Sequence, residues 1–308
     1  MKIFNYILII FSLFIFSCDK IENPIPPTFG NVDWSLFPGD SNDYLTLYNF
    51  DDLESNWTNN LNSKRFILLE DYTGHKCTNC PDAAVIAEEL EEDTSLNVIL
   101  VAIHASPDGF FQSTDSEFTF DFTTEAGDEY VTEMTGMFAN PLGTINRKSN
   151  GLNGTVWHIA SSWENKVIEE TNQINLANLQ VQKNYFSETN GLFIHVETEF
   201  KTNMNGNYHL VIFLIRKSVL GPQKMSDGST NYSYNHHNIL SENINGTWGN
   251  QIVSGEVTTG EKFYNDFSFE LIDPIVDSTF NADNLSLVTI LFERNTFEVI
   301  QVKKSDLF

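Results

Sequence analysis

The stretch EDYTGHKCTNCP, Glu70 to Pro81, holds two of the chain's three cysteines, Cys77 and Cys80, three positions apart. A C-x-x-C pair serves four chemistries, and each asks for different company. Zinc takes about four nitrogen or sulfur ligands, and only His75 lies close by. Covalent haem attachment takes a histidine directly after the second cysteine, where this chain has Pro81. A structural disulfide fits the spacing, although closing so short a loop removes little entropy from the unfolded chain. The reading that remains is a redox pair, in which Cys77 attacks a partner sulfur and Cys80 resolves the mixed disulfide.

That chemistry needs elements to hold it. Phe66 to Leu69 (FILL) is a short apolar run of the kind that forms a buried central strand. PDAAVIAEEL, Pro81 to Leu90, begins with proline and continues with good helix formers. A strand–cysteine–helix order puts Cys77 at a helix N-terminus, where free amides and the positive end of the dipole favour thiolate. Lys76 and His75 are expected to add positive charge, and Cys80 to lie one turn into the helix. Further along, NVILVAIH (Asn97 to His104) predicts a second buried strand, Thr124 to Thr135 a helix, LGTINR (Leu142 to Arg147) a short strand, and Trp157 to Glu170 a helix.

The character changes after about Asn172. NLQVQKNYF, GLFIHVETEF, YHLVIFLIRKSV, QIVSGEVTT, KFYNDFSFEL, LSLVTILFER and TFEVIQVKK predict about seven strands separated by turn signals. The fold class expected is therefore α/β plus all-β: an α/β domain over residues 44–173, then an antiparallel, immunoglobulin-like β-sandwich over 174–308.

The N-terminus, MKIFNYILIIFSLFIFSCDK, has one lysine, an apolar run from Ile3 to Phe16, and Cys18. A run this short is a signal-peptide core, so the chain is expected to be exported. IFSC resembles the bacterial lipobox, which makes 1–17 a signal peptide and Cys18 the lipidated residue, with acyl chains as membrane anchor. Residues 18–43, rich in Pro, Asn and Gly, read as a flexible tether. The formal charge of −25, from 42 acidic and 17 basic residues, repels phosphate backbones and argues against a nucleic-acid partner.

The order of elements around the cysteines resembles the thioredoxin fold. Asp71, six residues before Cys77, stands at the offset of the thioredoxin buried acid that takes the resolving thiol's proton. Its neighbour Glu70 is the alternative. Asn140-Pro141 matches the place of the thioredoxin cis-proline, so the resemblance gives Pro141 the role of shaping a substrate groove. Lys76 replaces the tryptophan that thioredoxins carry before the first cysteine, and Thr78-Asn79 matches neither reductants nor oxidants of that family. Lipobox, EDYTGHKCTNCP, NPLGTINR and a β-rich second half together resemble the Omp28-related outer-membrane lipoproteins of Bacteroidota. That resemblance implies the outer membrane as location.

The function expected is thiol–disulfide exchange with envelope proteins through Cys77, Cys80, Asp71 and Pro141, with no cofactor and no resident metal. The rival expectation is a non-enzymatic surface binding or adhesion lipoprotein whose CTNC disulfide is structural; metal relay through His75, Cys77 and Cys80 is a third. Ser106 to Glu117 is expected to rim the site. His75 is expected on a surface loop, and His104 as a hydrogen-bonded core histidine. The pair His236-His237 invites a metal or glycan reading but lacks a third ligand at suitable spacing.

Overall fold

A computed structural model describes residues 32–58, 64–149, 151, 154–271 and 282–307. Cys18 and the apolar run before it lie outside the described residues. Four helices and eleven strands carry the architecture described here, with the strands in two sheets.

Strand β1 (Ile67–Thr73) pairs in parallel with β2 (Val98–His104) and antiparallel with β3 (Leu142–Ile145). Every residue of β1 is buried, because it has strands on both edges and helices on both faces. Ile67 and Leu69 point into a core shared with Ala83, Ala87 and Leu90 of α2 (Cys80–Glu92) and with Trp163 and Val167 of α4 (Trp163–Thr171). Leu68 and Tyr72 point the other way, toward Ala126, Tyr130 and Val131 of α3 (Glu125–Glu133). Thr124 caps α3 by accepting a hydrogen bond from the Gly127 amide at 3.0 Å. The helix predicted from Trp157 starts later, at Trp163, because His158 is drawn into a backbone bridge with Gly143 beside β3.

The second half supplies β4 (Ala177–Phe186), β5 (Gly191–Phe200), β6 (Met204–Lys224), β7 (Thr230–Asn243), β8 (Asn250–Val257), β9 (Lys262–Glu270), β10 (Leu285–Glu293) and β11 (Val299–Asp306). All seven predicted strands are present, and β7 is an eighth that the polar, aromatic sequence NYSYNHHN does not announce. The large sheet has the order β11-β10-β6-β7-β2-β1-β3, with β8 also on β6, and the small sheet is β4-β5-β9. β7 meets β2 in parallel at Ala102 and Ile239, so one sheet runs on across the change in sequence character near Asn172. The small sheet covers one face of it, and Leu192, Ile194 and Val196 of β5 share a core with Leu210, Ile212 and Leu214 of β6.

The segment before β1 differs from the tether expected up to Asp43. Trp34 and Phe37, with Tyr44 of α1 (Ser41–Leu47), pack against Phe193 of β5. Aromatic rings this large bury too much apolar area to stay in water. Tyr44 is pinned further: its hydroxyl meets His195 Nε2 at 2.7 Å, and His195 Nδ1 meets Asp266 Oδ1 at 2.7 Å.

Candidate functional site

Cys77 and Cys80 form a disulfide, with Cα atoms 5.4 Å apart, at the carboxyl end of β1 and the start of α2. The helix begins at Cys80 itself, not a turn earlier, with Pro81 in its first turn, where a missing amide hydrogen does no harm. Cys77 precedes the helix in a tight turn, its amide donating to Gly74 O at 3.0 Å. A Cβ on Gly74 would lie 2.7 Å from both Cβ and carbonyl oxygen of Phe111, so only glycine fits where the loop after β2 crosses this turn.

Two distant segments close over the pair. From the predicted rim, 106–117, Phe111 O accepts from the Lys76 amide, and Gln112 Nε2 donates to Thr73 O and to Asn140 Oδ1. From the end of β6, Gln223 Nε2 donates to Cys77 O at 3.0 Å and Gly74 O at 3.4 Å, while the Lys224 amide donates to His75 O at 2.8 Å. Cys77 is left 2% exposed and Cys80 1%.

Beneath the disulfide lies a cavity of about 30 Å3, room for about one water molecule, lined by Cys80, Asp71, Glu88, Gln223, Tyr234 and His236 among others. Asp71 is buried, and its Oδ1 has no hydrogen-bond partner among the described residues. Burial, with a smaller push from Glu88, raises its carboxyl to about 7. Glu70, one residue earlier, points to the opposite face. There Arg147 Nε and Nη2 donate to it at 2.9 and 2.6 Å, and Thr144 adds a third bond at 2.6 Å. Of the two acids, only Asp71 faces the cysteines.

Three histidines surround the site, and their surroundings differ from expectation. His75 is not a surface residue: it is buried, its Nε2 bonds to Ser113 O, and its ring packs 4.9 Å from Phe118. His104 is in the core, but neither ring nitrogen has a hydrogen-bond partner among the described residues. His236 packs 5.0 Å from Phe122 and 5.8 Å from His104. Burial lowers the pKa of all three, for His236 to about 4. Lys76 is ion-paired with Asp115 at 2.8 Å. The positive charge expected at the sulfurs from His75 and Lys76 is therefore weakened: burial disfavours the charged histidine, and the Asp115 carboxylate offsets the lysine. Among the described residues, no three His, Cys, Asp or Glu side chains group as metal donors.

Asn140–Pro141 is a cis peptide leading directly into β3. Asn140 Nδ2 donates to Tyr72 O at 2.7 Å and Ala105 O at 3.0 Å, which ties this corner to the carboxyl ends of β1 and β2. The sequence names Asn140 only as the residue before Pro141 and Gln112 only as part of the 106–117 rim, and it does not single out Gln223 or Tyr234. Single polar residues in four separate segments carry no local spacing signal, and the apolar run of β6 ends at Ile215, eight residues before Gln223.

These features define a mixed α/β protein of two sheets with a covered disulfide at a strand–helix junction. Residues 129–307 match the family "Outer membrane protein Omp28", and the chain belongs to that family. Among solved structures, HBP35 of Porphyromonas gingivalis is similar at 13% identity with a TM-score of 0.58, over 79% of this chain and 76% of that one; this likeness is one of fold. A protein of Agrobacterium tumefaciens matches at 10% identity and TM-score 0.49, over 80% of this chain and 96% of its own. A domain of the outer membrane lipoprotein Omp28 from Porphyromonas gingivalis matches at 17% identity and TM-score 0.30, over 44% and 90%. No curated protein matches the chain in sequence.

Proposed function

We propose that this Omp28-family chain is an outer-membrane lipoprotein, anchored through Cys18, whose thioredoxin-like unit exchanges thiols and disulfides with envelope proteins. In this reading β1, β2, β3 and their helices are the thioredoxin-like part, and the two faced sheets of the second half form an immunoglobulin-like β-sandwich. One observation carries it: Asp71 is buried, and its Oδ1 has no hydrogen-bond partner among the described residues, in the same cavity as Cys80. An unsatisfied buried carboxyl is destabilising, and a mere staple has no use for one. A resolving thiol does, because it must gain and lose a proton near neutral pH.

The step balances as follows. A partner thiolate attacks Cys77 Sγ, the Cys77–Cys80 bond breaks, and Cys80 leaves as thiolate and takes the Asp71 proton. A second partner thiol, deprotonated, then displaces Cys77. The partner dithiol becomes a disulfide, and this pair gains two electrons and two protons. Run backwards, the same steps oxidise a partner. Pro141 shapes the groove beside Cys77.

A second reading, the non-enzymatic one with a structural disulfide, is favoured by the near-complete burial of both cysteines. The reduction potential of the pair separates the two. Exchange requires a value above about −300 mV, in the range of catalytic pairs, and a Cys80→Ala chain that accumulates mixed disulfides through Cys77. A value well below that, with no trapped partner, establishes the staple.

A further inference from the structure

The longest strand of the molecule does more than build a sheet. β10 pairs with β6 only from Tyr208 to Arg216, and β8 only from Met204 to Leu210. From Ser218 to Lys224, β6 pairs with β7 alone, over Thr230 to His237. The two strands thus leave the large sheet as a two-stranded arm, a structure with little stability of its own in water. Its outer side chains Leu220 and Tyr232 are 63% and 67% exposed.

The arm lies across the disulfide. At its tip, the Gln223 amide and the Lys224 backbone hold the carbonyls of Cys77, Gly74 and His75. Nearer its root, Val219 packs with Phe122 and Ile239 in a small apolar cluster. Outside, Tyr232 donates to Glu117 Oε1 at 2.9 Å and Lys224 Nζ pairs with the same oxygen at 3.7 Å, two ties to the 106–117 loop. Underneath, Tyr234 and His236 of the arm complete the cavity that holds Cys80 and Asp71. A thiolate has to approach the attacked sulfur directly, and with both cysteines this buried no partner protein reaches it while the arm is down.

We propose that this arm is a latch over the Cys77–Cys80 disulfide, lifted to admit an extended segment of a partner protein. That segment's backbone amides then take the positions on the Gly74, His75 and Cys77 carbonyls that Gln223 and Lys224 now fill. The proposal rests on the exchange reading for its purpose, but the latch itself is tested separately. Its tip is held by the Gln223 side chain, the Lys224 amide and the Lys224–Glu117 ion pair at 3.7 Å, while its root is anchored by Val219 and His236 against Phe122, so opening has to begin at the tip.

The test is the rate at which dithiothreitol reduces the disulfide in the full chain, with near-UV circular dichroism to confirm the native fold. Gln223→Ala removes the bonds to Cys77 and Gly74 and is expected to speed reduction about tenfold, the factor matching about 1.4 kcal/mol for lost hydrogen bonds. Tyr232→Phe loosens the arm from outside, far from the sulfurs, and is expected to give about a twofold increase. It carries the test alone if the Gln223 variant misfolds. Unchanged rates in correctly folded variants overturn the latch, whatever the potential turns out to be. Faster reduction supports it even if the potential falls in the structural range, a result that removes the exchange reading and leaves the arm as a shield.

Discussion

Glu70 and Asp71 are neighbours in one buried strand, yet they sit in opposite circumstances. Glu70 faces α3, where Arg147 and Thr144 satisfy its oxygens and the guanidinium stacks 4.4 Å from the Tyr130 ring. Burial by itself pushes the Arg147 pKa down; the charge and hydrogen bonds of Glu70 more than offset this and hold it raised. Asp71 faces α2 and a small cavity, with no cation paired to it among the described residues and its carboxyl raised to about 7. A buried acid that is fully paired holds the fold together, whereas one left unpaired can hand over a proton. The strand's pleat alone decides which acid does which.

The largest expected effect breaks the paired side. Arg147→Met roughly keeps volume but leaves Glu70 in the core with only the Thr144 hydroxyl and no cation to pair it, and should destabilise by about 3–5 kcal/mol in urea titration. Adding Glu70→Gln should recover most of that loss; no recovery would mean that Arg147 acts through packing and not through the ion pair.

Next comes the unpaired side. A carboxyl raised from 3.8 to about 7 keeps a proton in the folded chain that the unfolded chain has released. Stability from this group is therefore greatest below pH about 4 and falls as pH rises toward 7, by about 4 kcal/mol in all. Asp71→Asn should remove that slope, so urea midpoints measured from pH 4 to 8 should flatten. An unchanged profile would show that Asp71 is ionised in the native protein.

The smallest effect sharpens the comparison from the opposite direction. His236 is lowered from 6.5 to about 4, so below pH 6.5 the unfolded chain takes up a proton that the folded one refuses. Stability from this group is lost as pH falls from 6.5 to 4, by about 3 kcal/mol. His236→Gln should weaken acid unfolding over that window. Asp71 and His236 line one cavity and titrate with opposite slopes, so each single variant should expose the other's contribution.

Much of the site could be read from the chain itself. The strand before Cys77 and the helix after Cys80 adjoin the pair in sequence and are marked by apolar runs and Pro81, whereas the corner at Pro141, 61 positions beyond Cys80, was legible only through its resemblance to the thioredoxin cis-proline. Patterning could not choose between Glu70 and Asp71, because Ile67, Leu68 and Leu69 are all apolar and give the strand no visible parity; only the offset from Cys77, taken from the thioredoxin resemblance, pointed to Asp71. Nor was β7 read: Tyr232, Tyr234 and His236 alternate with Ser233 and Asn235, but so polar a stretch offers no aliphatic core face, and it is held as a strand by pairing with β6. The buried state of His75 likewise depends on Phe118 and Ser113, some forty residues on.

By itself, then, the sequence determined the disulfide's neighbourhood: local hydrogen bonds, a helix start and a short loop fix where two cysteines three apart must lie. Whether those sulfurs meet solvent was decided only in the tertiary structure. The residue that closes over Cys77 is Gln223, 146 positions away, delivered by an arm whose course depends on the register between β6 and β7. Short-range forces set the chemistry that is available, and long-range packing sets who can reach it.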